Sequence, residues 1–330
     1  MAAMKRLPAL VAPDSFKGTF TAAEVAAAIA RGLSSVDQPA DELPVADGGE
    51  GTQAALLNAL GGEEHAVTAT GPLGDPVQAI FALLGDGRTA VVEVAAASGL
   101  TLVREQERDA FAASTYGTGE LIAAAVDAGA ETVLVGVGGS ATTDGGAGSI
   151  EALHQARTTP NEIVCICDVR TTFEAAPRVF APQKGADPAT VKRLEQRLKR
   201  LATRWKRDPR GEPMTGAAGG LSGGLWAEFR AKLVPGAPYV LDAVGFGAKM
   251  RSARYVVTGE GRIDEQTLTG KLVGEVATRC RQGGVACYAL VGQDKLDAFG
   301  ARVIDLGYVH EATTLDELER TAAELAELVG

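Results

Sequence analysis

The sequence predicts an α/β protein: a Rossmann-like parallel-sheet domain made from both chain ends, with a second mixed α/β domain inserted. Two patterns and the length carry this. At both ends, apolar runs of strand length are each followed by a Gly- or Asp-rich loop and a helical pattern, the alternation that gives a parallel sheet with helices packed outside. Between residues 67 and 95, three strand-like runs succeed one another without helices. The 330 residues are roughly twice a common domain size. The expected division is 1–67 with 248–330 for the discontinuous domain and 68–247 for the insertion.

Taken in order, residues 7–12 read as a strand. Thr21 with Glu24 forms a capping box, and Val25, Ala28, Ile29 and Leu33 line one face of the helix it opens. Residues 43–46 form a short strand, and Asp47-Gly48-Gly49-Glu50-Gly51 turns into a helix carrying Ala55, Leu56 and Leu60. Runs 67–70, 79–84 and 89–95 are strand-like, with Gly85-Asp86-Gly87 as the hairpin turn between the last two. A helix at 120–127, a strand at 132–137, the glycine-rich 138–148 and a strand at 163–167 follow. Asp187-Pro188 starts a helix, with Asp at the N-cap and Pro at N1. The run Lys192, Arg193, Arg197, Lys199, Arg200, Arg204, Lys206 and Arg207 reads as its solvated basic face. The alternation then resumes: strand 254–258, helix 272–281, strands 285–291 and 302–306. Thr314 with Glu317 gives a second capping box for a final amphipathic helix.

Charge excludes several function classes. Lys plus Arg number 32 against 42 Asp plus Glu, a net charge of -10, which opposes non-specific binding to nucleic acid or to anionic lipid. Cys165, Cys167, Cys280 and Cys287 include no C-x-x-C pair, and there are three histidines, so no zinc spacing exists. The cysteines read as small buried hydrophobes. No stretch approaches the roughly 18 apolar residues of a membrane span, and no signal-peptide pattern opens the chain. A cytoplasmic location is expected.

Ligands of open parallel sheets collect at the carboxyl ends of the strands. Five loops expected there are polar and glycine-rich: Ala12-Pro13-Asp14-Ser15-Phe16-Lys17-Gly18, Asp47-Gly48-Gly49-Glu50-Gly51-Thr52, Gly138-Gly139-Ser140-Ala141-Thr142-Thr143-Asp144-Gly145-Gly146, Phe180-Ala181-Pro182-Gln183-Lys184-Gly185 and Thr258-Gly259-Glu260-Gly261-Arg262-Ile263-Asp264. Glycines admit close approach, and backbone N–H groups favour phosphate. Lys17 and Arg262 suit an anionic substrate, and the aspartates suit magnesium. Asp14, Asp47, Glu50, Asp144, Asp168, Glu260 and Asp264 all follow predicted strands. Such a set fits phosphoryl transfer, which asks for positioning and charge neutralisation more than covalent chemistry. Ser15 and Ser140 have no histidine nearby, leaving a hydrolase triad unsupported. A rival is the G-x-G-x-x-A match Gly136-Val137-Gly138-Gly139-Ser140-Ala141 with Asp168 beyond it, the pattern of an NAD-dependent dehydrogenase. Against it, Asp144-Gly145-Gly146 places poor helix formers where that motif needs a helix. A Walker A sequence is absent.

These loops resemble those of the bacterial glycerate kinase family. The matching segments run in the family's order, through Ala12 to Gly18, Val45 to Thr52, Thr70-Gly71-Pro72-Leu73-Gly74, Ala97-Ser98-Gly99-Leu100, Gly138 to Thr142 with Asp144-Gly145-Gly146, Cys167-Asp168-Val169, Pro182-Gln183-Lys184-Gly185-Ala186, Ala217-Ala218-Gly219-Gly220-Leu221, and Thr258 to Arg262 with Asp264, Gln266 and Thr267. The resemblance implies a two-domain enzyme with its active site in the interdomain cleft, using ATP and magnesium to phosphorylate D-glycerate to 2-phosphoglycerate. The residues expected to carry catalysis are Lys17, Asp47, Arg262 and Asp264, with Lys17 and Arg262 as the cationic groups and the base left open among the carboxylates. Substrate or nucleotide would meet Asp14, Ser15, Gly48, Gly49, Glu50, Gly138, Gly139, Ser140, Thr142, Lys184, Gly259 and Glu260. Asp47, Asp144 and Asp168 are the metal candidates. Neither nucleic acid nor membrane is an expected partner, and a homodimer is left open. The chain departs from the family in three places: it is shorter between Gly148 and Cys167, Arg170-Thr171-Thr172-Phe173-Glu174 replaces an Asn-Pro-Leu turn, and Thr143 stands for Asn. Those departures motivate the alternative of a non-catalytic member that binds nucleotide or hydroxy acid without turnover.

Overall fold

The computed structural model describes residues 6–265, 267, 271–296, 300 and 305–329. The strands are β1 (Ala9–Pro13), β2 (Ala40–Glu42), β3 (Gly62–Thr70), β4 (Pro76–Leu84), β5 (Thr89–Glu93) and β6 (Thr132–Gly136), then β7 (Glu162–Cys167), β8 (Lys232–Pro235), β9 (Val256–Glu260), β10 (Cys287–Val291) and β11 (Tyr308–Glu311). They lie in two compact units, Met1–Asp47 with Ala237–Gly330, and Gly48–Gly236. The divisions therefore fall earlier than the expected 67/68 and 247/248. β3 decides the first, because it pairs with β4 along its whole length, and the helix Thr52–Leu60 packs on β4 and β5. At the second, Arg279 ties the helix Gly236–Ala243 to the first unit through Asp242 and the carbonyl of Pro238.

In the first unit the strand order is β11-β10-β9-β1-β2, and every pair is parallel. Every residue of β1 and β9 is buried, as expected of parallel strands covered on both faces. Val11, Ile29, Leu33, Val257, Leu290 and Leu318 form the centre of the core. The capping box at Thr21 is present in full. At the last helix, Leu315–Val329, Glu317 N donates to Thr314 Oγ1 (3.2 Å). The Glu317 carboxylate, however, accepts from Thr313 N and Oγ1, one residue earlier than the box requires. β2 precedes the expected 43–46, although Leu43 N and Val45 N still donate to the carbonyls of Val11 and Pro13. The last described strand is Tyr308–Glu311, entered where Gly307 N donates to Cys287 O; residues 302–304 of the strand expected at 302–306 lie outside the described ones.

In the second unit β3, β4 and β5 are antiparallel and β5 to β8 parallel, in the order β3-β4-β5-β6-β7-β8. Asp86 makes the hairpin, its carboxylate accepting from Arg88 N and Thr89 N. β5 ends at Glu93 and the chain turns at once into the helix Val94–Ser98. The helix Ala147–Ala156 stops at Arg157, in the left-handed region (φ 54). Five residues later β7 pairs with β6 from Glu162 to Ile166, so the shorter centre leaves the sheet continuous. The helix Pro188–Ala202 starts at Asp187, whose carboxylate accepts from Thr190 N (2.7 Å). Of its basic residues, Lys192, Arg193, Lys199 and Arg200 are exposed, as a solvated face requires, and only Arg197 is half-buried; the guanidinium groups of Arg193 and Arg197 both lie over the Phe111 ring, a cation–π contact. Among the described residues no helix is long and apolar enough to cross a membrane.

The two helices Ala22–Ser35 and Leu315–Val329 approach closely at Gly32, where an added Cβ would lie 2.0 Å from Glu319 O. An interior helical Gly→Ala change normally stabilises by about 1 kcal/mol. Here the sign should reverse: Gly32→Ala should lower unfolding free energy by roughly 1–3 kcal/mol, read as a shift in the urea midpoint.

Candidate active site

In the first unit, β1 and β9 pair with Pro13 opposite Gly259. That register sets the loop 14–19 beside the loop 260–264. Asp14, Ser15, Lys17, Asp47, Glu260, Arg262 and Asp264 line one cavity of about 470 Å³. Lys17 Nζ is 3.8 Å from Asp47 Oδ2, and Arg262 Nε is 3.3 Å from Asp264 Oδ2. Both cations are more than half exposed, so these pairs contribute little stability. Asp14 is buried and takes a hydrogen bond from Ser15 N at 2.6 Å. Burial, and then the neighbouring Asp47, push its carboxyl well above the usual carboxylate range, against the opposing pull of Ser15 N–H and Lys17. Glu260 is raised to about 7, chiefly by burial, although Thr267 Oγ1 donates to it at 2.8 Å and Lys271 favours its charged form. The cavity thus holds carboxyls that exchange protons near neutrality beside exposed cations, an arrangement suited to moving a proton off a hydroxyl.

In the second unit, Gly138, Gly139, Ser140, Asp168 and Lys184 line a separate cavity of about 250 Å³, together with Ala218 and Gly219. Lys184 is 3% exposed; its Nζ donates to Ser140 Oγ (2.8 Å) and to Thr142 O (2.6 Å). Burial lowers it to about 7, with Asp144 opposing. Ala218, Gly219 and Gly220 have φ of 50, 65 and 93. A Cβ on Gly219 would lie 2.0 Å from Thr142 O, which is why small residues are needed where this segment presses on the 138–146 loop.

The remaining site candidates have positions outside both cavities. Asp144 is buried, and its carboxylate accepts from Thr115 N, Thr115 Oγ1, Gly146 N and Gly148 N at 2.8–3.1 Å. It folds its own loop rather than facing a metal. Among the described residues no group of three metal-ligating side chains occurs. Gly259 lies within β9, where a Cβ would meet Leu290 O at 2.2 Å. Gly48, Gly49 and Glu50 lead into the helix Thr52–Leu60, whose start is capped by Glu93 through Gln53 N (2.9 Å); a Cβ on Gly138 would lie 2.5 Å from Gly49 Cα. Thr142 contributes its carbonyl to Lys184. The glycine fingerprint starts no helix, the next one beginning at Ala147. Gln266 lies outside the described residues. Lys271, Gln293 and Thr313 line the first cavity and were not singled out by sequence, though Lys271 stands directly before the helix Leu272–Gly283, where a β–α loop ends. The four cysteines are buried free thiols.

Comparison with known proteins bears on the family and the fold. The model of the glycerate kinase family matches residues 9–159 and 154–329. The chain is 39% identical to the glycerate kinase of Bacillus subtilis (strain 168) over 96% of each chain. It is 36% identical to the glycerate 2-kinase of Escherichia coli (strain K12), over 92% of this chain and 87% of that one. The crystal structure of a Salmonella typhimurium LT2 protein assigned as glycerate kinase 2 superposes with a TM-score of 0.83 over 98% of each chain, at 36% identity. The Bacillus alignment spans 373 positions, more than this chain contains, and the two family matches meet at 154–159, at the shortened connection before β7.

The raised Asp14 carboxyl has a consequence for stability. A carboxyl that binds its proton more tightly folded than unfolded withdraws stability as pH rises above its unfolded value of about 3.9. Asp14→Asn should therefore melt several degrees higher than the parent at pH 8, with the gap closing toward pH 4. Thermal denaturation across that range checks it.

Proposed function

Because the chain belongs to the glycerate kinase family, we propose that it transfers the terminal phosphoryl group of ATP to a hydroxyl of D-glycerate, yielding 2-phosphoglycerate. The observation that carries this reading is the first unit's cavity, where Lys17, Arg262 and Lys271 stand among Asp14, Asp47, Glu260 and Asp264. Phosphoryl transfer between two anions needs cations at the carboxylate and at the transferred group, and a carboxyl to receive the hydroxyl proton. Lys17 and Arg262 divide the first task. Glu260, raised by burial to about 7, keeps an ionised fraction near neutrality and suits the second, whereas Asp14 holds its own proton there and leaves the acceptor role to Glu260. Magnesium in such sites usually takes one or two carboxylates plus phosphate oxygens and water, a demand that Asp47 and Asp264 meet with oxygen donors in the same cavity; when bound it neutralises phosphate charge. Asp168, exposed at the edge of the second unit's cavity, is a further metal candidate. The enzyme is read as cytoplasmic and acting on small molecules.

A purified sample given D-glycerate, ATP and magnesium should release ADP in step with 2-phosphoglycerate identified by NMR. Lys17→Ala and Arg262→Ala should each lower kcat/KM by roughly 10²–10³-fold with the circular dichroism spectrum unchanged. ATP binding without turnover would favour the non-catalytic reading, which the shortened connection between the helix Ala147–Ala156 and β7 supports.

A further inference from the structure

Lys184 is a buried ammonium without a counter-ion. Its Nζ has two partners, a hydroxyl and a carbonyl, both neutral, and no carboxylate among the described residues pairs with it. The acid that most influences it, Asp144, has its oxygens occupied by Thr115, Gly146 and Gly148. Asp168 lies on the same cavity but is exposed, where water screens it. An ammonium carries three donors, and desolvating one without an opposite charge is costly enough that the group tends to shed its proton. The direction of the Lys184 shift, down to about 7, agrees.

A second observation, independent of the lysine, points the same way. Gly138, Gly139 and Ser140 line the cavity, and among the described residues none accepts from their backbone N–H groups. Carbonyls of this stretch are used, Gly139 O accepting from Leu100 N, and Ala141 N donates to Ser98 O. Those bonds fix the loop's orientation and leave consecutive N–H groups over. Gly139 holds a left-handed φ of +67, and Gly138 has no room for a side chain. Ser140 is buried, Gly138 half-buried and Gly139 exposed at the cavity mouth, and successive N–H groups around a concavity form an anion-binding nest.

We propose that Lys184 and the N–H groups of Gly138, Gly139 and Ser140 form an oxyanion site that receives either a nucleotide phosphate or the hydroxy-acid carboxylate as the lysine's missing counter-ion. The identity of those two carriers rests on the kinase reading; the existence of an anion site does not. Binding restores full charge to Lys184, so it should take up a proton above neutral pH.

The test is titration calorimetry of the full chain with inorganic phosphate, ADP, adenosine, D-glycerate and glycerol, for the parent and Lys184→Met, in buffers of different ionisation enthalpy. The expected result is a loss of at least tenfold in affinity on Lys184→Met for inorganic phosphate and for ADP or D-glycerate, accompanied by loss of the proton uptake. Loss for ADP but not adenosine assigns the site to phosphate; loss for D-glycerate but not glycerol assigns it to the carboxylate. Unchanged affinities and unchanged proton uptake in Lys184→Met would overturn the proposal. Should that variant not fold, Ser140→Ala removes one of the lysine's anchors and should show the same ligand-selective loss on a smaller scale; unchanged binding there overturns it equally. A parent protein that binds phosphate through Lys184 yet never turns over D-glycerate would sink the kinase reading while supporting this one.

Discussion

The parallel ladder between β1 and β9 is the contact on which the candidate site depends. It joins Leu10 to Val256 and Pro13 to Gly259 and is reinforced where Thr258 Oγ1 donates to Ala12 O at 2.8 Å. Closing so long a loop carries an entropic cost that grows only slowly with length, so an entire second unit fits between the two strands without forbidding their pairing. What the ladder achieves is chemical. It turns two loops distant in sequence into neighbours, one bringing Asp14 and Lys17, the other Glu260, Arg262 and Asp264. A slip in register would part Asp14 from Glu260, which adds to the effect of burial and of Asp47 in raising it.

Glycine and buried carboxylate do comparable work in the second unit. Asp144 satisfies backbone and side-chain donors from Thr115, Gly146 and Gly148, and in doing so ties the 138–148 loop to the start of the helix Tyr116–Asp127. Glycines at 138, 219 and 220 let three backbone segments approach where any Cβ would collide with main-chain or aromatic atoms. A loop held from so many directions can present unpaired donors and a buried ammonium, because the cost of leaving them unsatisfied is spread over a well-determined surround. The two cavities differ accordingly. The first offers exposed, solvent-screened cations among protonatable acids; the second offers one desolvated cation among backbone donors.

Much of this was legible in the residues. The capping box at Thr21, the Asp187-Pro188 helix start and the Gly85-Asp86-Gly87 turn are local devices, in which a few neighbouring atoms settle the conformation. The glycine-rich loops were recognisable for the same reason, and they carry most of the residues found in the two cavities. Less legible were positions whose meaning depends on distant partners. Asp144 reads as a potential ligand in sequence and becomes a structural acceptor only when Thr115 and Gly148 are brought to it. Arg197 reads as part of a solvated face until Phe111 is placed beneath it and accepts from it through its carbonyl. Residues 62–70 could have joined either unit; pairing with β4 decided.

The sequence by itself determined the alternation of strand, loop and helix, the two-part organisation, the family, and which loops carry acids, cations and glycines. Those follow from short-range patterning, in which periodicity and turn chemistry act within a few residues. Only the tertiary structure decided which charges share a cavity, which carboxyl is buried enough to hold its proton, and that Lys184 lacks a counter-ion. Those properties arise from burial and from pairing across long sequence separations, where the local dielectric and the placement of distant groups set the energy of each charge.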